Sequence, residues 1–298
     1  MRWAGACCTM PRIPPNKRRW RRTLTGALLS VALLALLIPA APAGTACILK
    51  PLQPDALANA ARLGVKVFEA LEQSAAQVAI VGRVGADLSK YGLRFSHLGF
   101  AVRDHRQGRW TLVHLLNRCG TAESSLYDEG LINFFLDDPF AYEAVIATPK
   151  PELQEALVKA LRSDLVWRLH QPRYNTIAHP RSVDFQNSNQ WLLELTVAAM
   201  AGGAVHRRVE AQQHPLMQAY QPDVVKIDRL ARIGGGLFKA NLTFTDHPLA
   251  DRLKGEYRTV TARSVLRFLQ QSGMLERFQR LDGQKTPAHD ARVDLDRL

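Results

Sequence analysis

A run of thirteen apolar and small residues, Gly26 to Ile38, follows a stretch that carries Arg2, Arg12, Lys17, Arg18, Arg19, Arg21 and Arg22 and no acidic residue. A basic segment leading into so short an apolar core reads as an export signal, because a membrane span needs roughly 20 apolar residues. Pro39, Pro42 and the small residues around them offer two cleavage positions, after Ala43 or after Ala46. An uncleaved anchor is the alternative. A lipid-modified Cys47 lacks the Leu usual three residues earlier, and Arg18-Arg19 is an incomplete twin-arginine signal. Residues 1–46 are therefore assigned to a signal peptide, the protein is expected in the periplasm or secreted, and no membrane span is expected after cleavage. The fold must be built from the remainder.

Export changes two further readings. The formal net charge of +12 points at first to nucleic acid. Cleavage removes seven cations and leaves about +5, so a nucleic-acid partner is excluded. Cys7 and Cys8 leave with the signal, and Cys47 and Cys119 remain as an even pair in an oxidising compartment. A disulfide between them is expected. The competing role for Cys119, a catalytic thiol, fits less well, because Cys119 follows a strand pattern whereas activated cysteines favour helix N-termini.

Downstream, helical and strand patterns alternate. Leu57, Ala61, Val65, Phe68 and Leu71 repeat at three and four residues behind Pro54-Asp55, which predicts an amphipathic helix buried on that stripe. Residues 77–84 read as a strand, and residues 95–102 and 110–117 as a hairpin joined through the polar stretch 103–109. A short helix is expected over 124–135, a strand over 142–148 and a helix from Pro151 to about Arg162. The Pro-containing segment 171–186 should be irregular and 187–200 helical. A polar helix, a strand at 223–227, a break at Gly234-Gly235-Gly236 and a helix at 261–271 follow, with a charged, frayed tail over 281–298.

Three residues could carry chemistry. His97, in Ser96-His97-Leu98-Gly99-Phe100, lies on the first hairpin strand with Gly99 leaving room beside it, and His114 lies on the second. A register that sets the two histidines directly opposite would let one ring orient the other, whereas a one-residue slip would put them on opposite faces. Two histidines on neighbouring strands are also compatible with plain packing roles. Ser188 opens the helix at 187–200: with Asn187 as N-cap and Gln190 completing a capping box, its hydroxyl is left free at the positive end of the helix. The plainer reading makes Ser188 itself the N-cap. Asn117 is an alternative to His114 as the orienting group. His206, His214 and Asp246-His247-Pro248 lack metal-ligand spacing, so no metal and no cofactor is expected.

Taken together, the SHLGF strand, the polar residue on the next strand and the Asn-X-X-X-aromatic helix start after a long crossover resemble the circularly permuted NlpC-like branch of the papain fold. The CGTAE and NSNQW patterns also resemble a family of exported bacterial proteins of unknown function, from about Cys47 to Pro248. The resemblance implies an α+β fold with a permuted papain-like core over residues 47–280, a mainly antiparallel sheet packed on helices, and a C-terminal extension over the cleft. Matched residue by residue, it implies His97 as general base, His114 as its orienting partner and Ser188 at the nucleophile position. There the chain departs from the thiol of that group, and a serine has no resting anion and needs His97 to take its proton. Two functions follow: a hydrolase or acyltransferase acting on cell-envelope peptides or lipids, or a degenerate fold that binds such a ligand without chemistry. The sequence does not show oligomeric state.

Overall fold

The structure, a computed structural model, describes residues 51–137, 139–229, 232 and 240–283. The signal segment, Cys47, Gly234-Gly235-Gly236 and residues 284–298 lie outside the described residues. Among the described residues no helix is long and apolar enough to cross a membrane.

The elements run in the order α1 (Pro54–Gln73), β1 (Val78–Val84), β2 (His97–His105), β3 (Gly108–Asn117), β4 (Ser124–Glu129), α2 (Leu131–Leu136), β5 (Ala141–Pro149), α3 (Pro151–Leu161) and α4 (Leu165–Arg168). After an irregular stretch come α5 (Ser188–Met200), α6 (Arg208–Gln213), α7 (Pro215–Ala219), β6 (Asp223–Lys226), α8 (Leu249–Lys254), β7 (Glu256–Thr259), α9 (Ala262–Gln271) and β8 (Leu275–Asp282). The main sheet has six strands in the order β4-β3-β2-β1-β5-β8, antiparallel at every pairing, and β6 and β7 form a small antiparallel pair of their own. The fold is α+β with an antiparallel sheet packed against helices.

Strand alternation gives the sheet two apolar faces, because successive side chains point to opposite sides. Ile80, Leu98, Phe100, Val113 and Leu115 pack on α3, α5 and α9. Ala79, Val81, Ala101 and Leu112, of the opposite parity, pack on α1 and α2. The result is three layers with two cores.

The stripe expected on α1 is fully buried only at Leu71. Leu57, Val65 and Phe68 are exposed, and the buried row is Ala60, Leu63, Gly64, Val67 and Leu71. Helix α1 is apolar on two rows, and close approach decides between them: a Cβ on Gly64 would lie 3.0 Å from Ile132 Cγ1, so only the glycine row lets α2 come this near. A second correction concerns the helix expected over 124–135. Residues Ser124–Glu129 instead form β4 along the free edge of β3, and only Leu131–Leu136 turns helical, after Gly130. Pairing with an available edge overrides weak local helix preference.

The C-terminal extension serves two places. Thr259 Oγ1 and the Val260 carbonyl accept from Asn187 Nδ2 at 3.1 and 3.2 Å, behind the start of α5. The last strand, β8, goes instead to the edge of the sheet away from β4, and carries the chain to Asp282.

Candidate functional site

The site begins with two strands that part. Pairing between β2 and β3 runs through Val102↔Thr111 to Phe100↔Val113; beyond it β3 continues with β4 (His114↔Tyr127) and β2 with β1 (His97↔Arg83). The N-terminus of α5 enters the opening. Asn189 takes the role of a neighbouring strand, accepting from the Leu98 N–H and donating to the Ser96 carbonyl, each at 3.1 Å. This is how a residue on one helical layer reaches side chains that point to the other.

The register departs from the one in which His97 faces His114. With Phe100 opposite Val113, the frame sets Gly99 across from His114, two residues away from the expected partner. An even shift preserves the face, so both rings still lie on the α2 side. A Cβ on Gly99 would stand 3.1 Å from His114 Cβ, and its absence lets the His114 ring lean toward His97. The orienting alternative, Asn117, is three residues along β3 and so on the opposite face; its Nδ2 donates weakly to the Arg118 carbonyl.

Four side chains form a continuous relay. Ser188 Oγ lies 3.0 Å from His97 Nδ1, His97 Nε2 lies 2.8 Å from His114 Nδ1, and His114 Nε2 lies 2.7 Å from Glu129 Oε1. With both rings neutral, the far end sets the direction of the chain. A carboxylate only accepts, so His114 Nε2 carries a hydrogen and, in the neutral ring, His114 Nδ1 accepts from His97 Nε2–H. His97 Nδ1 is then the acceptor left for the Ser188 hydroxyl, which is the orientation a general base requires. Glu129, on β4, was not foreseen, because the helical reading of 124–135 hid it.

Burial tunes the relay. His97 is 6% exposed and His114 fully buried, and the Phe134 ring covers both, with centroids at 5.7 and 5.3 Å. Burial, followed by the Arg83 guanidinium and then His114, holds the His97 imidazole well below its usual value, so the ring is neutral at pH 7 and free to accept a proton. Arg83 is itself anchored, donating to the carbonyls of Phe134 and Asp137 and pairing with the Asp137 carboxylate.

The start of α5 resolves the capping question in favour of Asn187. Its Oδ1 accepts from the Gln190 N–H at 2.8 Å and its carbonyl from the Trp191 N–H, so Ser188 is the first helical residue and not the cap. The reciprocal half of the box does not form: Gln190 Nε2 donates to the Pro180 carbonyl at 3.0 Å and to Glu194 at 3.2 Å. Residues Ser188 to Ala199 are buried all round, because the helix is enclosed between the sheet and the elements outside it. Tyr174 is a second residue the sequence did not mark. Tyr174 is buried, burial pushes its pKa up with the neighbouring Ser188 opposing the rise, and the hydroxyl stays protonated. The Asn189 N–H, one residue into the helix beyond Ser188, makes no backbone hydrogen bond outside the helix among the described residues.

Behind this turn Glu194 is wholly buried. It accepts from Gln186 Nε2 (2.6 Å), Arg208 Nε (2.8 Å), Gln212 Nε2 (2.8 Å) and Gln190 Nε2 (3.2 Å). Burial raises its pKa, and the Arg208 charge and the surrounding donors oppose that rise. Arg208 also donates to the carbonyls of Ser182, Val183 and Phe185, which fixes the irregular segment that leads into Asn187. Elsewhere, His247 Nε2 donates to the Ile177 carbonyl at 2.8 Å, and among the described residues no His, Cys, Asp and Glu group has the arrangement to hold a metal ion.

A family model described as "Uncharacterized protein conserved in bacteria (DUF2145)" matches residues 70–269, a span that includes the whole relay and Tyr174. No curated protein and no solved structure matches the chain.

Proposed function

We propose that the chain, which belongs to the DUF2145 family of uncharacterized bacterial proteins, is a serine-dependent hydrolase or acyltransferase acting on an amide or ester of the cell envelope. The observation that carries this reading is the directed relay from Ser188 through His97 and His114 to Glu129. As Ser188 Oγ bonds the substrate carbonyl carbon, its proton passes to His97 Nδ1, and the charge gained by His97 is shared through His114 with the Glu129 carboxylate. The carbonyl oxygen becomes an anion beside the Asn189 N–H, the positive end of α5 and the Tyr174 hydroxyl, groups of the type that stabilise such charge. His97 returns the proton to the leaving group, and the acyl-serine is released to water or to a second acceptor. The envelope substrate class rests on the resemblance to permuted papain-like proteins, as does a papain-like topology in which the histidine precedes the nucleophile in the chain.

One observation favours a second reading, a fold that binds an envelope ligand without chemistry. Ser188 is 6% exposed and its hydroxyl already has a partner in His97. The two readings part on a simple assay. The first expects the folded protein to hydrolyse p-nitrophenyl acetate, Ser188→Ala to reduce this to the background rate and Ser188→Cys to retain it. Hydrolysis undiminished in Ser188→Ala would leave only the second.

Location and cross-link are part of the same proposal. The mature protein is expected to begin between Gly44 and Cys47 outside the cytoplasmic membrane, with Cys47 bonded to Cys119. N-terminal sequencing and non-reducing peptide mapping of the exported protein check both. An intact N-terminus in a membrane fraction contradicts the first expectation, and two free thiols contradict the second.

A further inference from the structure

None of the relay residues lines a cavity of about 340 Å³ formed by the 179–181 stretch together with residues from α7 to β7. That volume lies within the range of small-ligand sites. Its apolar wall comes from Pro180, Met217, Tyr220 and Pro222. The Tyr220 hydroxyl is engaged with Ser264 Oγ at 2.6 Å, so what it offers the cavity is ring surface.

The polar wall is cationic. His179, Arg181 and Arg258 line it. Arg258 pairs with Asp251, whereas Arg181 donates to the neutral Gln218 at 2.7 Å and has no carboxylate within ion-pair distance among the described residues. One positive charge is therefore left uncompensated. His179 is held edge-on against His247, with ring centroids 5.4 Å apart, and its Nδ1 accepts from the Arg181 N–H at 3.2 Å. In the neutral ring the proton then sits on Nε2, which is a donor.

We propose that this cavity binds a small organic acid, with its carboxylate on Arg181 and Arg258, the His179 Nε2–H as a third donor, and its apolar part against Met217, Tyr220 and the two prolines. A guanidinium fork matches a carboxylate in shape and charge, and the apolar wall selects against fully hydrated anions. Titration calorimetry of the full chain with benzoate is expected to show saturable binding in the millimolar range, with neutral benzamide bound at least about tenfold more weakly. Arg181→Gln and Arg258→Gln should each weaken benzoate by about tenfold while circular dichroism stays unchanged. Both arginines have exposed side chains, and glutamine at 258 keeps a donor for Asp251. Equal affinity for benzoate and benzamide, absence of saturable benzoate binding, or benzoate affinity unaltered in both variants would overturn the proposal. The assay reads binding alone, so its outcome is independent of whether Ser188 is a nucleophile.

Discussion

Alanine in place of His97 is expected to slow acylation of Ser188 by p-nitrophenyl acetate by about 10²- to 10⁴-fold, the range a positioned general base supplies. His97 Nδ1, 3.0 Å from Ser188 Oγ, is the acceptor for the serine proton in the relay, and Tyr174 is held protonated and unsuited to take it. Glu129→Gln should cost less, because it removes the charge at the far end but keeps an oxygen 2.7 Å from His114 Nε2 when the amide is turned suitably. The pH dependence has a definite sign. Burial holds His97 below its ordinary value of 6.5, so the acid limb of the acylation rate should fall below pH 6.5. The same shift links to stability. His97 stays neutral in the folded chain while the unfolded chain takes up a proton, so its contribution is full above pH 6.5 and is lost as pH falls toward the folded value, at up to about 1.4 kcal/mol per pH unit. Stopped-flow acylation and urea unfolding between pH 5 and 8 read the two effects separately. A rate indifferent to His97→Ala contradicts the base assignment.

The largest effect on stability should come from Glu194→Ala. The substitution strands the Arg208 guanidinium, which is about nine-tenths buried, and frees three amide groups from their shared acceptor. Breaking one side of a buried ion pair costs about 3–5 kcal/mol. For a domain of this size that lowers Tm by about 10 °C. Replacing both members with apolar residues, Glu194→Leu with Arg208→Met, should cost much less, since no unpaired charge remains. A single variant as stable as the parent would mean that water or another group reaches Arg208. Because Arg208 also ties the carbonyls of Ser182, Val183 and Phe185, Glu194→Ala should loosen the approach to Ser188 as well.

The placement of the site residues was legible where it depended on residue type and parity. His97 and His114 share a face in any register shifted by an even number, and Ser188 sits at a helix start whichever residue caps it. Their meeting across 91 residues of chain is thus compatible with a register that was two residues off. Glu129 was hidden for a different reason. Within 124–135 the apolar residues permit a helical period, and only the vacant edge of β3 makes Ser124–Glu129 a strand. Tyr174 lies in an irregular segment, where no periodicity points to a side chain. The α1 stripe failed because two apolar rows compete and a glycine contact selects one. The strand β8 is given no element by the sequence, and its last two residues, Leu281 and Asp282, read as the start of a frayed tail, since Glu276, Arg277 and Arg280 suit an exposed edge of a sheet as well as they suit solvent.

The central claim is that a buried relay makes Ser188 a nucleophile, and covalent labelling tests it most directly. The folded wild-type protein is treated with a fluorophosphonate at pH 7.5, digested, and the adduct mapped by mass spectrometry, with Ser188→Ala and His97→Ala in parallel. The account predicts one phosphonate per chain on Ser188, none in Ser188→Ala, and labelling slowed by two or more orders of magnitude in His97→Ala. No adduct on Ser188 in the folded wild type, or equal labelling of Ser188 with and without His97, would contradict it.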